Sequence, residues 1–221
     1  MVKVYIAKTE PLKNEELFLA VYKTVHKERQ IKADRYMTQQ ARRLSVAAGA
    51  LLKKALFDCD ITDAQIEYGK NGKPFIKNGG VFFNLSHSEE RVMCAISDCE
   101  VGCDVEKLRP IEHEIADRFF STEEKKHLGK FTNEAEKRTE FFRLWTLKES
   151  FLKATGQGMA LPLSSFSIEL GADGIAVRQS YNDKKYYFKE YSFLDEYRYA
   201  VCAMTPHIAD SVEIIELKSL V

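Results

Sequence analysis

The sequence lacks an excess of charge of either sign, since 33 lysine and arginine residues are balanced by 33 aspartate and glutamate residues. Proteins that bind nucleic acid or an anionic membrane through electrostatic attraction usually carry a basic surplus. We therefore expect neither a nucleic acid nor a membrane as a partner. A site for an anionic ligand would have to be built from a local cluster of basic side chains.

Long hydrophobic runs are also missing from the chain. The longest mainly apolar stretch near a helical segment, Leu44 to Leu52, is far shorter than the roughly 20 residues that cross a bilayer. The first residues, Met1 to Ile6, have the pattern of a strand and lack the apolar core of a secretory signal. These features predict a cytoplasmic protein.

Several motifs of common enzyme classes are absent. The five cysteines are odd in number and form no CxxC pair, which argues against a disulfide framework. No Walker A loop and no GxGxxG occur, so neither a P-loop kinase nor a dinucleotide-binding fold is supported. Ser86 and His87 are adjacent but lack a GxSxG elbow, and neighbouring side chains on a strand diverge, which disfavours a serine hydrolase.

The pattern of apolar residues predicts an α+β fold made of two similar halves, residues 1–106 and 107–221. Each half is expected to contain a small, mainly antiparallel sheet packed with helices. The similar pieces Val92–Ile96 and Ala200–Met204 occupy corresponding places in the two halves. We therefore expect a pseudo-twofold arrangement with a site at the interface between the halves.

Individual elements follow from periodicity and from turn residues. Leucines and alanines at helical spacing predict a helix from Gln40 to Phe57. Short apolar runs punctuated by turn residues predict a meander of strands from Val81 to Glu106. The second half has a helix-rich stretch from Ile111 to Ala154 and then five strands, with Asp173-Gly174 marking a hairpin.

Two carboxylates stand out in the segment Val101–Lys107. Alternate residues of a strand point to opposite faces, so Asp104 and Glu106 project together while the apolar residues between them face the core. A pair of carboxylates one strand repeat apart suits a hard divalent cation, which prefers oxygen ligands. A half-solvated strand with an acidic outer face is the alternative explanation.

A third carboxylate, Glu149, lies in a predicted helix on the same face as Phe142, Trp145 and Leu152. An unpaired carboxylate on an apolar face is costly to bury, so Glu149 needs a partner. A metal ion, an ammonium group or a substrate would serve. Lys153 lies one helical turn further on and could form an ordinary salt bridge with it.

Groups that could contact phosphate occur in the first half of the chain. Phe83–Ser88 ends an apolar strand with small polar residues whose hydroxyls, imidazole and turn amides could meet a phosphate oxygen. Lys73 lies in a loop just before this strand. Further basic residues gather in the helical region, namely Lys27, Arg29, Lys32, Arg42 and Arg43. Each of these could equally be a solvated surface charge.

Taken in order, five segments resemble motifs of the Sfp-type 4′-phosphopantetheinyl transferases. The matching segments are Gly72-Lys-Pro74, Phe83-Asn-Leu-Ser-His-Ser88, Val101-Gly-Cys-Asp-Val-Glu106, Phe119-Phe-Ser-Thr-Glu-Glu124 and Leu144-Trp-Thr-Leu-Lys-Glu-Ser-Phe-Leu-Lys153. The resemblance covers nearly the whole chain and is strongest from Gly72 to Phe166. Two small departures, Cys103 and Thr146, remove no functional group.

The resemblance implies roles for individual residues, with coenzyme A bound between two α+β halves. Asp104, Glu106 and Glu149 match the metal ligands of the family, and Glu124 matches a further acidic position near the metal. The implied contacts with the phosphates of coenzyme A come from Lys153 on the pyrophosphate, from Arg29 and Lys32 on the 3′-phosphate, and from Ser86, His87, Lys73 and one of Arg42 or Arg43.

The implied function is a magnesium-dependent transfer of the phosphopantetheine arm of coenzyme A to a serine of an apo acyl, peptidyl or polyketide carrier protein. Mn²⁺ could replace Mg²⁺. Glu149 and Lys153 are the expected catalytic residues, with Glu149 as the general base because its apolar setting should raise its proton affinity. A monomer is expected, because the two halves would form the cleft together. Two alternatives stay open: a magnesium-dependent pyrophosphate hydrolase and a non-catalytic module that binds coenzyme A.

Overall fold

The computed structural model describes residues 1–77, 79–111, 113–172, 174–193 and 195–221. The helices are α1 Glu15–Thr24, α2 Lys27–Asp34, α3 Gln39–Phe57, α4 His113–Phe119, α5 Thr122–Leu128 and α6 Glu134–Thr155. The strands are β1 Lys3–Lys8, β2 Ile66–Tyr68, β3 Pro74–Ile76, β4 Phe82–Ser88, β5 Arg91–Ser97, β6 Val101–Lys107, β7 Ser167–Gly171, β8 Gly174–Arg178, β9 Tyr187–Tyr191, β10 Tyr197–Ala203 and β11 Glu213–Ile215. In these parts of the chain, no helix is both long and apolar enough to cross a membrane.

Two small sheets organise the fold. The first has the strand order β11-β1-β5-β4 and the second has the order β6-β10-β9. Two separate hairpins, β2-β3 and β7-β8, complete the pairing among the described residues. Among the strands of the described segments, the pairing of β1 with β11 is parallel and the other ladders are antiparallel. The predicted α+β class, with small and mainly antiparallel sheets packed with helices, is confirmed.

The two sheets repeat one arrangement. The order β1-β5-β4 of the first sheet corresponds to β6-β10-β9 of the second. In the first sheet β4 and β5 form an antiparallel pair and β1 pairs with β5, and in the second β9 and β10 form an antiparallel pair and β6 pairs with β10. Helix α3 packs on the central strand β5, and helix α6 packs on the central strand β10. The similar pieces noted in the sequence fall on these central strands, where Cys94 and Cys202 are fully buried.

Strand pairing also crosses the predicted boundary between residues 106 and 107. All of strand β6 except its last residue, Lys107, precedes that boundary, but the strand pairs along its whole length with β10, from Val101 opposite Ala203 to Lys107 opposite Tyr197. Strand β11 returns to the first sheet and pairs with β1. The boundary stays a prediction, and the pairing favours a position just before β6. Of the predicted hairpin turn, Asp173 lies outside the described residues, while β7 and β8 do pair.

Helix α6 packs on β6 and β10 of the second sheet, and its Lys153 side chain reaches Ser86 of the first. It begins at Asn133, whose side-chain oxygen accepts hydrogen bonds from the backbone amides of Ala135 and Glu136. It ends at Gly156, which adopts the left-handed conformation with φ of 69° that glycine favours at this position. The last turns of α6 lie directly against β6 and therefore hold Glu149 and Lys153 over the strand that carries Asp104.

Candidate active site

The contact between β6 and α6 depends on a glycine. A Cβ atom placed on Gly102 would lie 2.1 Å from the carbonyl oxygen of Ser150 and 2.3 Å from the amide nitrogen of Ala154. No side chain fits in that space, so only glycine allows the strand to touch the backbone of the helix. This close approach brings the last turn of α6 over the middle of β6.

Lys153 joins the helix to two strands through its ammonium group. Its Nζ donates to Asp104 Oδ1 at 2.6 Å, to Ser86 Oγ at 3.1 Å and to the carbonyl oxygen of Cys103 at 3.3 Å. These three bonds use all three protons of the ammonium group. Burial, the largest influence, lowers the pKa of Lys153, but the negative charge of Asp104 and weaker neighbours outweigh it, so the pKa is raised overall. The charge therefore persists at neutral pH.

Side chains of β4 take the place of a backbone ladder beside β6. Three alternate side chains of β4 accept hydrogen bonds from backbone amides of β6. The bonds are Cys103 N to Asn84 Oδ1 at 2.9 Å, Val105 N to Ser86 Oγ at 3.3 Å and Lys107 N to Ser88 Oγ at 3.2 Å. This row of three side chains, Asn84, Ser86 and Ser88, is called the polar seam below. It joins the two sheets directly beside the candidate site.

The two serines of the polar seam also hold the predicted metal-binding carboxylates. Ser86 Oγ donates to Asp104 Oδ1 at 2.8 Å, and Ser88 Oγ donates to Glu106 Oε2 at 2.9 Å. Arg109 adds a second bond to Glu106 Oε2 at 3.2 Å. Asp104 is only 3% exposed, so the half-solvated acidic face considered from the sequence does not describe it. Its second oxygen, Oδ2, is buried and has no hydrogen-bond partner.

Glu149 lies on α6 beside these groups, at the edge of the cleft described below. Burial raises its pKa to about 6, helped by the negative charges of Asp104 and Glu106 and opposed by Lys153. The expectation that its surroundings raise its proton affinity is confirmed. The simple salt bridge with Lys153 is not observed, because the ammonium group is bonded to Asp104 and two other acceptors. Among the described residues, Glu149 has no hydrogen-bonded partner for its carboxylate.

Positive groups gather on the other side of β4. His87 points away from the polar seam and is exposed. Its pKa is lowered first by partial desolvation, then by the charge of Lys153, and further by Lys32 and Arg29. Arg29 and Lys32, both on α2, also have lowered pKa values, chiefly because of burial. Within the described chain, neither of these two residues has an ion pair with a carboxylate. The stem of Arg29 crosses α3 where Gly49 leaves room for it.

Of three other predicted phosphate contacts, Lys73 lines the cleft described below, and Arg42 and Arg43 are not among its lining residues. Lys73 Nζ donates to Glu100 Oε2 at 2.8 Å and to the carbonyl oxygens of Val101 and Ala154, so its protons are used within the protein. Arg42 pairs with Asp34 at 3.2 Å. The charge of Arg43 opposes the rise in the pKa of Lys13 that its hydrogen bond with Glu90 causes, and no described contact connects Arg43 with His87 or Lys153.

The oxygens of Glu124 are bonded within the protein, and its predicted role near the metal stays a prediction that these bonds do not favour. Its Oε1 accepts from Lys148 Nζ and from the amide of Ile168, and its Oε2 accepts from Lys148 Nζ and from the amide of Ser121, at distances of 2.7 to 2.8 Å. These bonds fill the roughly four acceptor positions of a carboxylate. Glu124 and Lys148 are completely buried and tie α5, α6 and β7 together.

An open cleft of about 340 Å³ adjoins these groups. It is lined by the loop that precedes β3, by the end of α6 with Glu149 and Lys153, by Asn84, and by the glycine-rich segment that follows α6. Met159 at its rim is 98% exposed. The cleft therefore combines the carboxylate of Glu149, the ammonium groups of Lys73 and Lys153, and an apolar rim.

Comparison with known proteins assigns the chain to a family. The family model described as the 4′-phosphopantetheinyl transferase superfamily matches residues 100–202. The chain is 35% identical over 167 residues to the 4′-phosphopantetheinyl transferase Sfp of Bacillus subtilis, covering 74% of each chain. It is 40% identical to the transferase psf-1 of Bacillus pumilus, covering 68% of this chain and 65% of that one. It is 29% identical to the transferase gsp of Aneurinibacillus migulanus, covering 100% and 94%.

The chain belongs to the 4′-phosphopantetheinyl transferase superfamily. The family and the enzyme class predicted from the motifs are confirmed. The matched region, residues 100–202, contains β6 and α6, and it therefore includes the contact made possible by Gly102 as well as Asp104, Glu106 and Glu149.

The acidic side chains of this phosphopantetheinyl transferase fit a hard divalent cation in their chemistry. Asp104 Oδ2 is a buried acceptor without a described partner. Burial is the main cause of the raised pKa values of Glu106 and Glu149, and the negative charge of Asp104 is the second. In the parts of the chain that the structure describes, no three His, Cys, Asp or Glu side chains are grouped closely enough to hold a metal on their own. Mg²⁺ commonly takes only one or two protein carboxylates and adds water and substrate phosphate oxygens. The set therefore fits Mg²⁺ shared with a phosphorylated ligand.

Sequence reasoning missed three residues of the transferase site. Asn84 and Ser88 lie within a segment that was noted, but their role in holding β6 was not predicted. Their signal was the period of two in β4, where Asn84, Ser86 and Ser88 alternate with Phe83, Leu85 and His87. Gly102 carried no distinct signal, because its importance comes from a helix that follows more than thirty residues later.

Proposed function

We propose that this chain transfers the 4′-phosphopantetheine arm of coenzyme A to a serine of an apo carrier protein at the cleft beside Lys153, releasing adenosine 3′,5′-bisphosphate. The observation that carries the proposal is the link between two opposite charge environments. Lys153 is bonded to the buried Asp104, and its charge also acts on His87 on the other face of β4. An ester of a pyrophosphate needs both a group that receives its developing charge and a separate site for its anionic remainder.

Coenzyme A would be bound chiefly through its phosphates. Arg29, Lys32 and His87 bring their positive or donor groups together without a described carboxylate between them, in a protein whose total charge is balanced. A cluster of like charges that lower one another's pKa is relieved when an anion binds. We assign the 3′-phosphate to Arg29 and Lys32, and the pyrophosphate to Lys153 and His87.

The reaction makes one phosphorus–oxygen bond and breaks another. The hydroxyl oxygen of the carrier serine attacks the phosphorus on the pantetheine side, and the bond from that phosphorus to the bridging oxygen breaks. The bridging oxygen leaves with its electron pair on adenosine 3′,5′-bisphosphate. Lys153 is already fixed by three hydrogen bonds, so its charge is in place without reorganisation when negative charge builds on the leaving oxygen.

Glu149 would receive the proton of the carrier serine. With a pKa of about 6, its carboxylate is mostly ionised at neutral pH and is more basic than an ordinary glutamate. It lines the cleft and has no described hydrogen bond that would have to break first. General-base catalysis of this kind typically contributes about 10²–10⁴-fold in rate.

Mg²⁺, or Mn²⁺ in its place, would be held by Asp104 and Glu106 with Glu149 nearby, and when bound it would neutralise phosphate charge. Asp104 and Glu106 each keep one oxygen free of hydrogen bonds to described residues, while the other is held by a serine of β4. Glu124 has no part in this proposal, since its acceptor positions are filled within the protein. Lys73 lines the same cleft as Lys153 and is bonded within the protein in a similar way, so its contact with phosphate stays a prediction.

One assay separates transfer from the two alternatives. The protein is incubated with coenzyme A, Mg²⁺ and an unmodified carrier domain, and the carrier is weighed by mass spectrometry. A gain of one phosphopantetheinyl group supports transfer. Consumption of coenzyme A with an unchanged carrier would mean that the chain is a hydrolase, and no change in either would mean that it only binds coenzyme A. Replacing Asp104 by Ala should abolish the mass gain.

Three further expectations belong to this proposal. The site lies between the two halves predicted from the sequence, because β4 comes from the first and α6 from the second. A single chain supplies all the residues named for the site, which favours a monomer. A cytoplasmic location, where apo carrier proteins and coenzyme A meet, stays a prediction, as does the identity of the carrier.

A further inference from the structure

The two serines of the polar seam make the same double contact two residues apart. Ser86 accepts the amide of Val105 and donates to the carboxylate of Asp104, the residue just before. Ser88 accepts the amide of Lys107 and donates to the carboxylate of Glu106, again the residue just before. Asn84 accepts an amide in the same way but contacts no carboxylate.

The direction of each hydrogen bond is fixed by the chemistry of the hydroxyl group. A hydroxyl has one proton to donate, and an amide N–H can only donate. The serine oxygen therefore accepts from β6, and its single proton goes to the carboxylate. A bond of this direction favours an ionised carboxylate and restricts its rotation, because the bonded oxygen is fixed with respect to the backbone of its own strand.

The consequence for each carboxylate is an asymmetry between its two oxygens. Asp104 Oδ1 has hydrogen bonds from Ser86 and Lys153, whereas Oδ2 is buried and has none. Glu106 Oε2 has hydrogen bonds from Ser88 and Arg109, whereas no described residue bonds to Oε1. One oxygen of each carboxylate is thus fixed and the other is left available.

We propose that Ser86 and Ser88 are positioning residues for the metal site, which hold Asp104 and Glu106 so that the remaining oxygen of each is directed at the cation. This inference rests on the proposed function, because it concerns the same cation. It separates the two serines from Asn84, which supports β6 through an equivalent amide bond but orients no carboxylate. It also changes the role of Ser86 from a contact with the phosphates of coenzyme A to a contact with a metal ligand.

Binding of Mn²⁺, measured by electron paramagnetic resonance in the presence of coenzyme A, tests this inference without relying on turnover. Removal of a group that orients a metal ligand typically weakens metal binding about 10–100-fold. We expect Ser88→Ala to weaken Mn²⁺ binding about 10-fold or more, and Ser88→Thr, which retains the hydroxyl, to stay within about 2-fold of the wild type. Ser88 is the cleaner position, because Ser86 also accepts a bond from Lys153.

Tyr191→Phe is the control for the loss of a structural hydrogen bond. It removes the bond from the Tyr191 hydroxyl on β9 to the carbonyl oxygen of Ala209, which does not line the cleft, so both Tyr191→Phe and Ser88→Ala should lower the midpoint of thermal unfolding. Only Ser88→Ala should weaken Mn²⁺ binding. If Ser88→Ala binds Mn²⁺ like the wild type, or if Tyr191→Phe weakens the binding equally, the serines are only structural links and the inference is overturned.

The two proposals fail in different ways. If the wild type loads the carrier and the Ser88→Ala variant binds Mn²⁺ as tightly as the wild type does, this inference alone is overturned. If the Mn²⁺ affinities of the wild type and the variants follow the predicted order but the wild type never loads a carrier, the proposed function is overturned and the positioning role is supported. A wild-type protein that binds no Mn²⁺ would overturn the inference even if the carrier is loaded.

Discussion

Lys153 Nζ and Asp104 Oδ1 lie 2.6 Å apart and join residues that are 49 positions apart in the chain. The contact connects the last turn of α6 with the middle of β6. It also links the two charge environments of the site, because Asp104 belongs to the acidic side and Lys153 acts on His87 in the basic group. The reacting groups are therefore organised by how closely the helix packs on the strand.

Gly102 should be the residue on which this packing depends. Gly102→Ala would place a Cβ atom 2.1 Å from the backbone oxygen of Ser150, and a backbone atom cannot move away as a flexible side chain could. We expect a loss of about 3 kcal/mol or more in the free energy of unfolding, measured in urea, with little carrier loading in the protein that does fold.

Gly80→Ala is the control for Gly102→Ala, because nothing lies within 4 Å of the added Cβ atom. It should change the free energy of unfolding by less than about 1 kcal/mol. A Gly102→Ala protein as stable and as active as Gly80→Ala would show that α6 can move away from β6 without harm to the site.

Glu149 should control the acid side of the pH profile. Its carboxylate must be ionised to accept a proton, so the rate of carrier loading should rise with pH up to about 6 and then level off. Glu149→Gln should lower this rate about 10²–10⁴-fold and remove the rise near pH 6. Near-normal turnover of Glu149→Gln at saturating Mg²⁺ would exclude Glu149 as the base.

The raised pKa of Glu149 also predicts a change in stability with the opposite sign. Because the pKa in the folded protein is above that of an unfolded chain, ionisation of Glu149 destabilises the fold. This cost is absent below about pH 4.5 and complete above about pH 6, where it amounts to about 1–2 kcal/mol. Without ligands at pH 7.5, Glu149→Gln should therefore melt about 3–6 °C higher than the wild type. Equal melting temperatures at pH 7.5 would contradict the raised pKa.

Local patterns in the sequence predicted the parts of the site that depend on one element at a time. The alternation of a strand was enough to place Asp104 and Glu106 on one side of β6. The helical period was enough to place Glu149 on an apolar face and to predict its raised pKa. In both cases the backbone geometry of a single element fixes the direction of the side chain.

What the sequence did not predict depends on contacts between distant elements. Glu124 and Lys73 matched the motifs of the family, but whether a charged group faces a ligand or the protein interior depends on which segments pack around it. The groups that bond to Glu124 come from α6 and β7, and one acceptor of the Lys73 ammonium group comes from the start of β6. The return of β11 to β1 has the same origin, since its three residues carry no local signal for a parallel partner.

Glu124 should contribute to stability and not to metal binding. Glu124→Gln leaves the buried ammonium group of Lys148 without a countercharge, which typically costs about 3–5 kcal/mol. The double variant Glu124→Gln with Lys148→Met removes that charge and should recover a large part of the loss in urea unfolding. The exposed neighbour Glu123 serves as the control, and Glu123→Gln should change the stability by less than about 0.5 kcal/mol.

The affinity of the Glu124 double variant for Mn²⁺ tests the predicted metal role of Glu124 directly. All of the acceptor capacity of Glu124 is used within the protein, so Mn²⁺ binding should stay within about 2-fold of the wild type. A folded double variant that binds Mn²⁺ about 10-fold more weakly would restore Glu124 as a member of the metal site.

Arg29 and Lys32 should distinguish coenzyme A from the analogue that lacks its 3′-phosphate. Both residues belong to α2, and they have no described carboxylate partner that a ligand would have to displace. A hydrogen bond between charged groups contributes about 1.5–3 kcal/mol, so Arg29→Gln or Lys32→Gln should weaken the binding of coenzyme A about 10-fold or more in calorimetry. Binding of dephospho-coenzyme A should change by less than about 2-fold, because the group that these residues contact is missing.

Lys27→Gln, an exposed change at the start of the same helix, should affect neither ligand. If Lys32→Gln weakens the binding of both ligands equally, the two basic residues act on the pyrophosphate or through the general potential of the helix, and the 3′-phosphate must be bound elsewhere.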